Sequence, residues 1–203
     1  DVTMIERVII DVDKRKVIRL KMPPDQHRST LCDDVSCEAT KTGDDVQWSG
    51  DGKHLAFVST SRDHKQEWLR VADAANGDVR DVMNESVATY FESGNGKVNW
   101  KYLPQSNEVL WFSERDNWGQ MYLYDLTTGK LKNQITHGGG NVTQVLHVDE
   151  KGRKIYFLAV GKEPGRDPYF SSYYSINFDG TGQKLLTPED ADHAVTSSPD
   201  GRY

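Results

Sequence analysis

The sequence predicts an all-β fold: a partial β-propeller of about three full four-stranded antiparallel blades, with parts of two flanking blades. Three observations predict it. A polar turn followed by a short apolar run recurs at steps of 55 and 45 residues, measured from Phe57 to Phe112 and on to Phe157. Segments ending in Asp recur at Asp11, Asp73, Asp125 and Asp179, at steps of 62, 52 and 54 residues. No stretch of ten or more residues holds a helical period, which leaves parallel α/β folds without their crossover helices.

The first segment, Asp1 to about Met22, reads as the last two strands of a blade: Ile9-Ile10-Asp11, the turn Val12 to Arg15, then Val17 to Leu20. A full blade follows. Its approach strand ends near Trp48, Asp51-Gly52-Lys53 turns the chain, and Leu55 to Val58 is the apolar strand. Val71-Ala72-Asp73 leads through the turn Ala74 to Gly77 into the closing strand Val79 to Val82. The same grammar repeats with Trp100, Val109 to Phe112, Leu123-Tyr124-Asp125 and Leu131 to Thr136. It repeats again with His147, Ile155 to Leu158, Asn177-Phe178-Asp179 and Lys184 to Thr187. Pro199-Asp200-Gly201 opens one more copy. Gly or Asn in most of the turns can take the positive φ of a tight hairpin. Short strands joined by such hairpins fit blades of about 50 residues arranged around an axis. The chain reads as one propeller segment over 1–203, with blade breaks near 44, 90, 138 and 190. Gly138-Gly139-Gly140 reads as a flexible connection between blades. A run of this length does not close a ring, so its outer blade faces are expected to be apolar and open to a partner or a second copy.

Composition narrows the function. The net charge of −6 and the lack of a basic stripe exclude a nucleic-acid footprint. Apolar runs reach only about five residues, too short to span a bilayer. Cys32 and Cys37 are the only cysteines. Either they close a small disulfide loop, which implies a periplasmic or secreted protein, or they are two free thiols. A zinc site would need more ligands than nearby His27 supplies. None of the six histidines pairs with another at metal spacing, and His64 and His193 read as polar surface residues in turns. Glu189, Asp190 and Asp192 lack the spacing of a calcium loop. No cofactor or metal is expected.

Trp48-Ser49-Gly50-Asp51-Gly52-Lys53-His54-Leu55-Ala56-Phe57 resembles the blade opening of the propeller domain of S9 serine peptidases. The stretch Tyr90 to His137 is closer still. It includes Asn99-Trp100, Val109-Leu110-Trp111-Phe112-Ser113-Glu114-Arg115-Asp116 and Gly119-Gln120-Met121-Tyr122-Leu123-Tyr124-Asp125, and it is similar to the N-terminal region of dipeptidyl peptidase IV-type enzymes. The likeness covers essentially the whole chain. It implies an eight-bladed propeller beside an α/β-hydrolase domain whose Ser-Asp-His triad removes N-terminal dipeptides, with the propeller gating access. The sequence holds no Gly-x-Ser-x-Gly elbow, so the catalytic domain is expected outside it. The family's paired glutamates are absent as well, and that site is expected upstream of Asp1.

The candidate site residues follow. Glu114, Arg115 and Asp116 can meet a charged peptide group, since Arg presents a bidentate fork. The plainer alternative is a solvated hairpin whose ion pairs contribute little. Asn99 and Trp100 lie roughly where the resemblance places substrate-proximal side chains. Trp48 and Trp100 read as matching blade positions that either line a tunnel or pack between blades. No catalytic residue is expected in the chain. The partners implied are a peptide substrate met through the full-length enzyme, the remaining blades, and the hydrolase domain. The alternative is a non-enzymatic propeller scaffold that binds a protein partner.

Overall fold

The computed structural model describes residues 4–26, 46–91, 99–198 and 201. Cys32, Cys37 and the Pro199-Asp200 turn lie outside them. The chain is a partial β-propeller, built from three four-stranded antiparallel sheets and two two-stranded ones among the described residues. It divides into two compact units: 1–91 with 127–129, and 92–126 with 130–203.

In the first unit, β1 (Met4–Ile5) pairs with β4 (Asp25–Gln26), and β2 (Val8–Asp11) pairs with β3 (Lys16–Arg19). The sheet β5 (Val46–Trp48), β6 (His54–Thr60), β7 (Gln66–Asp73) and β8 (Val79–Ser86) runs in chain order. Period-2 alternation sends Ile9 and Ile18 to one face of the β2–β3 hairpin, where they pack with Leu20 against Leu55, Phe57 and Ala72. The other face leaves Val8, Ile10 and Val17 exposed. The β1–β4 pair is an addition to the expected topology. Asp25 fastens it to β6 by accepting from Ser59 Oγ, and it also accepts at 3.3 Å from Nε of Arg7, which lies between β1 and β2.

The second unit holds the sheet β9 (Lys101–Leu103), β10 (Glu108–Ser113), β11 (Gln120–Asp125), β12 (Leu131–Gln134). Its second sheet is β13 (Asn141–Asp149), β14 (Lys154–Val160), β15 (Ser172–Asn177), β16 (Lys184–Leu185). A common core lies between them, made by Leu110, Phe112, Leu123, Phe157, Tyr174 and Ile176 among others. Each fully buried side chain of this size contributes about 1.5–3 kcal/mol. The middle strands are buried on both faces, which is why Val109 to Phe112 reads as an unbroken apolar run. The outermost strands β8 and β12 carry the polar residues that a sheet edge tolerates.

The register corrects two expectations and the burial a third. His54 pairs with Asp73, Glu108 with Asp125 and Lys154 with Asn177. The repeat landmark is therefore Asp73, Asp125 and Asn177, each 52 residues after the last, and Asp179 falls in the turn beyond the strand. Trp48 pairs with Leu55, so its counterparts are Tyr102 opposite Val109 and Val148 opposite Ile155. Trp100 lies before β9, two residues off that position. His64 is buried rather than solvated. It takes φ 53° in the β6–β7 turn and stacks on Tyr90 with ring centroids 4.7 Å apart.

Candidate functional site

The β10–β11 turn leaves the sheet at Ser113, a buried residue whose hydroxyl accepts from Arg115 N–H at 3.2 Å and Arg115 Nε at 3.0 Å. Those two bonds fold the guanidinium back over β11. Its Cζ lies 4.4 Å from the Tyr122 ring centroid and 5.8 Å from that of Tyr124. A cation held over an aromatic face gains about 0.5–1 kcal/mol at an exposed site. The Tyr122 hydroxyl donates to Asp116 Oδ2 at 2.8 Å, and Asn117 closes the turn with φ 65° and an N–H donated to the Glu114 carbonyl at 2.9 Å. Glu114, Arg115, Asp116 and Trp118 are exposed. Aromatic β11 side chains thus fix the orientation of one cation and one carboxylate at the end of the sheet. Tyr122 and Tyr124 were not singled out by the sequence, where they look like ordinary strand aromatics.

Asn99 and Trp100 are buried. Lys101 pairs with Leu110, so both residues lie toward the end of the sheet from which the β10–β11 turn leaves. The Asn99 amide bonds across to β13. Its Nδ2 donates to the Thr143 carbonyl at 3.3 Å, and its Oδ1 accepts from Val145 N–H at 2.8 Å. The β13–β14 register shifts at this point, between Val142 and Gln144 and again between Val145 and His147. Asn99 supplies the two backbone bonds that the bulged strand would otherwise lack.

The Gly138-Gly139-Gly140 connection differs from the flexible link expected of three glycines. Gln120 Nε2 donates to the carbonyls of Gly138 and Gly140, and Lys162 Nζ to those of His137 and Gly139. Removal from water pushes the Lys162 ammonium below its ordinary value, and nearby Glu163 opposes that shift. Burial also raises the Tyr174 phenol, whose hydroxyl donates to Glu163 Oε1 at 2.8 Å. Among the described residues, no cluster of three or more His, Cys, Asp and Glu is placed to hold a metal ion. No helix among them is long and apolar enough to cross a membrane. The geometry can orient charged and hydrogen-bonding groups, and nothing in the loop pairs a nucleophile with a base.

A family profile described as the N-terminal region of dipeptidyl peptidase IV matches residues 2–203. The fold is similar to that of a protein described as a dipeptidyl aminopeptidase IV from Bacteroides ovatus, at 20% identity and a TM-score of 0.72, over 98% of this chain and 28% of that one. It is similar to dipeptidyl peptidase 4 of Porphyromonas gingivalis at 17% identity and a TM-score of 0.67, over 91% of this chain and 23% of that one. TolB from Acinetobacter baumannii matches at 17% identity and a TM-score of 0.52, over 98% and 44% of the two chains. The chain spans about a quarter of the length of the two peptidases.

Proposed function

The chain belongs to the dipeptidyl peptidase IV N-terminal region family, and on that premise we propose that it gates and shapes the access of peptide substrates to a Ser-Asp-His site on an α/β-hydrolase domain outside these residues. The match of the family over residues 2–203 carries this reading. The lack of a Gly-x-Ser-x-Gly elbow supports the placement of catalysis elsewhere. In this role the exposed turn Glu114-Arg115-Asp116 offers oriented charge to a peptide at the rim, and Asn99 with Trp100 holds the sheet end beneath it. The remaining blades are met through apolar faces such as Val8, Ile10 and Val17, and the same face serves a second copy if the protein self-associates. A periplasmic or secreted location belongs to this proposal.

The test is made in the longer polypeptide that joins these residues to a hydrolase domain. Replacing Arg115 and Asp116 with Ala together is expected to raise KM for short peptides by about tenfold, on the order of one charge-assisted hydrogen bond, with kcat held within about twofold. An unchanged KM removes the turn from the substrate path. No turnover at all by the joined polypeptide would instead favour the scaffold reading.

A further inference from the structure

The segment from β12 to β13, residues 135–142, is bonded along most of its length. On one side runs the start of β11. Met121 N–H donates to Thr136 Oγ1 at 2.9 Å, and the Met121 carbonyl accepts from Ile135 N–H at 2.8 Å. Gln120 Nε2 reaches the Gly138 carbonyl at 3.0 Å and that of Gly140 at 3.1 Å. Gly119 N–H donates to Asn141 Oδ1 at 2.6 Å, and its carbonyl accepts from Val142 N–H at 2.8 Å. On the other side lies the end of β14. Lys162 Nζ donates to the His137 carbonyl at 2.8 Å and to that of Gly139 at 3.4 Å. Four consecutive carbonyls, 137 to 140, thus alternate between the Lys162 ammonium and the Gln120 amide. Gly140 sits in a notch where a Cβ would meet the Val160 oxygen at 2.4 Å and the Gly161 carbonyl carbon at 2.8 Å.

The two groups that grip this strap stand at the bases of two different loops. Gly119 and Gln120 follow directly on the polar turn Glu114 to Trp118. Lys162 opens the β14–β15 loop, in which Tyr169 is exposed and Arg166 holds the carbonyls of Pro188 and Glu189. We propose that Lys162 is a positioning residue: through the glycine strap it locks the β10–β11 turn and the β14–β15 loop into one rigid rim. Neither loop needs to touch the other for this. Each is bonded to the same short backbone, and a backbone with alternate carbonyls tied to opposite sides cannot shift toward one side without breaking bonds on the other. The coupling goes beyond the gating role and holds whether or not peptide reaches the rim.

Amide hydrogen exchange on the 203-residue chain, read by mass spectrometry, tests it without substrate. Lys162→Met is expected to speed exchange by about tenfold, equivalent to about 1.4 kcal/mol of local opening, both at 139–142 and at the distant turn 114–119. Exchange in β6 and β7 should stay at the wild-type rate. Lys162→Arg keeps a donor in place and should restore both segments to within about twofold. The reciprocal variant Gln120→Leu should speed exchange at 161–165, and it gives the same reading if Lys162→Met does not fold. Acceleration confined to 161–171, or spread evenly over β13 to β15, overturns the coupling.

Discussion

Glu108 opens β10 with its side chain 2% exposed and clamped by Lys132 and by both outer nitrogens of Arg153. The Arg153 guanidinium in turn lies 4.2 Å from the Phe178 ring centroid. Burial alone would favour the neutral acid. The hydrogen bonds from Arg153, Lys132 and Ser106 outweigh it and hold the carboxyl below its ordinary 4.5. The folded value is the lower one, so the unfolded chain binds the proton first as pH falls. The stabilisation from Glu108 is therefore present above about pH 4.5 and is lost as pH falls through the folded value. In urea melts from pH 7 down to pH 3, Glu108→Gln should flatten the pH dependence of the midpoint. It should also lower stability at pH 7 by about 1–3 kcal/mol, because two cations lose their shared partner. Parallel pH curves for the two proteins would show that other carboxylates carry the acid sensitivity. None of this was legible in the sequence, where a Glu after Ser106-Asn107 looks like a turn residue. Asn99 shows the same limit. The resemblance placed it among substrate-proximal side chains, but its two bonds to β13 answer a bulge 44 and 46 residues away that leaves no pattern in the chain.

At the scale of elements, legibility followed locality. The four-strand repeat and its hairpins could be read because each hairpin carries its own signals within a few residues. Asp73 Oδ1 accepts from Ala75 N–H at 2.7 Å and Asn76 N–H at 3.3 Å, and Gly77 then takes φ +78°. The β1–β4 pair was not readable, because two residues on each side leave no alternation and the strands are about 20 residues apart. Three glycines of one sheet grade the cost of a side chain. At Gly50 a Cβ meets nothing and φ is ordinary; at Gly52 the space is open but φ is +69°. At Gly77 φ is positive and a Cβ would stand 2.3 Å from the Arg19 oxygen, beside the 2.7 Å bond from Lys21 N–H to the Gly77 carbonyl. Alanine should change stability by less than about 0.5 kcal/mol at Gly50. It should cost about 1–2 kcal/mol at Gly52 for backbone strain alone, and more than that at Gly77, where β3 must move as well. Denaturant midpoints of the three variants check the order. Equal losses at Gly52 and Gly77 would mean that the β3 contact is soft.

At the scale of the whole molecule, the proposed gating role leaves hydrolysis to residues outside this chain. The exposed turn Glu114 to Trp118 orients charge, and the strap stiffens its base, yet acyl transfer needs an activated nucleophile and a place for the developing oxyanion. The sequence has no Gly-x-Ser-x-Gly elbow to present a serine. Among the described residues the buried Ser59, Ser113, Ser172 and Ser175 sit within or at the ends of strands, and buried Ser49 is held in the β5–β6 turn by Asp51 and the His54 N–H. A wall that positions substrate lowers the barrier only when the reacting groups are held against it, since orientation acts by making an encounter intramolecular. The 203-residue chain by itself is therefore expected to leave Gly-Pro-p-nitroanilide uncleaved at concentrations where the joined polypeptide turns it over. Added in trans to a separate hydrolase domain, it should restore activity only at concentrations that replace the lost covalent link, which for short linkers corresponds to about millimolar. Turnover by the isolated chain that a serine-directed inhibitor abolishes would contradict this division of labour and would require a nucleophile among the residues read here as structural.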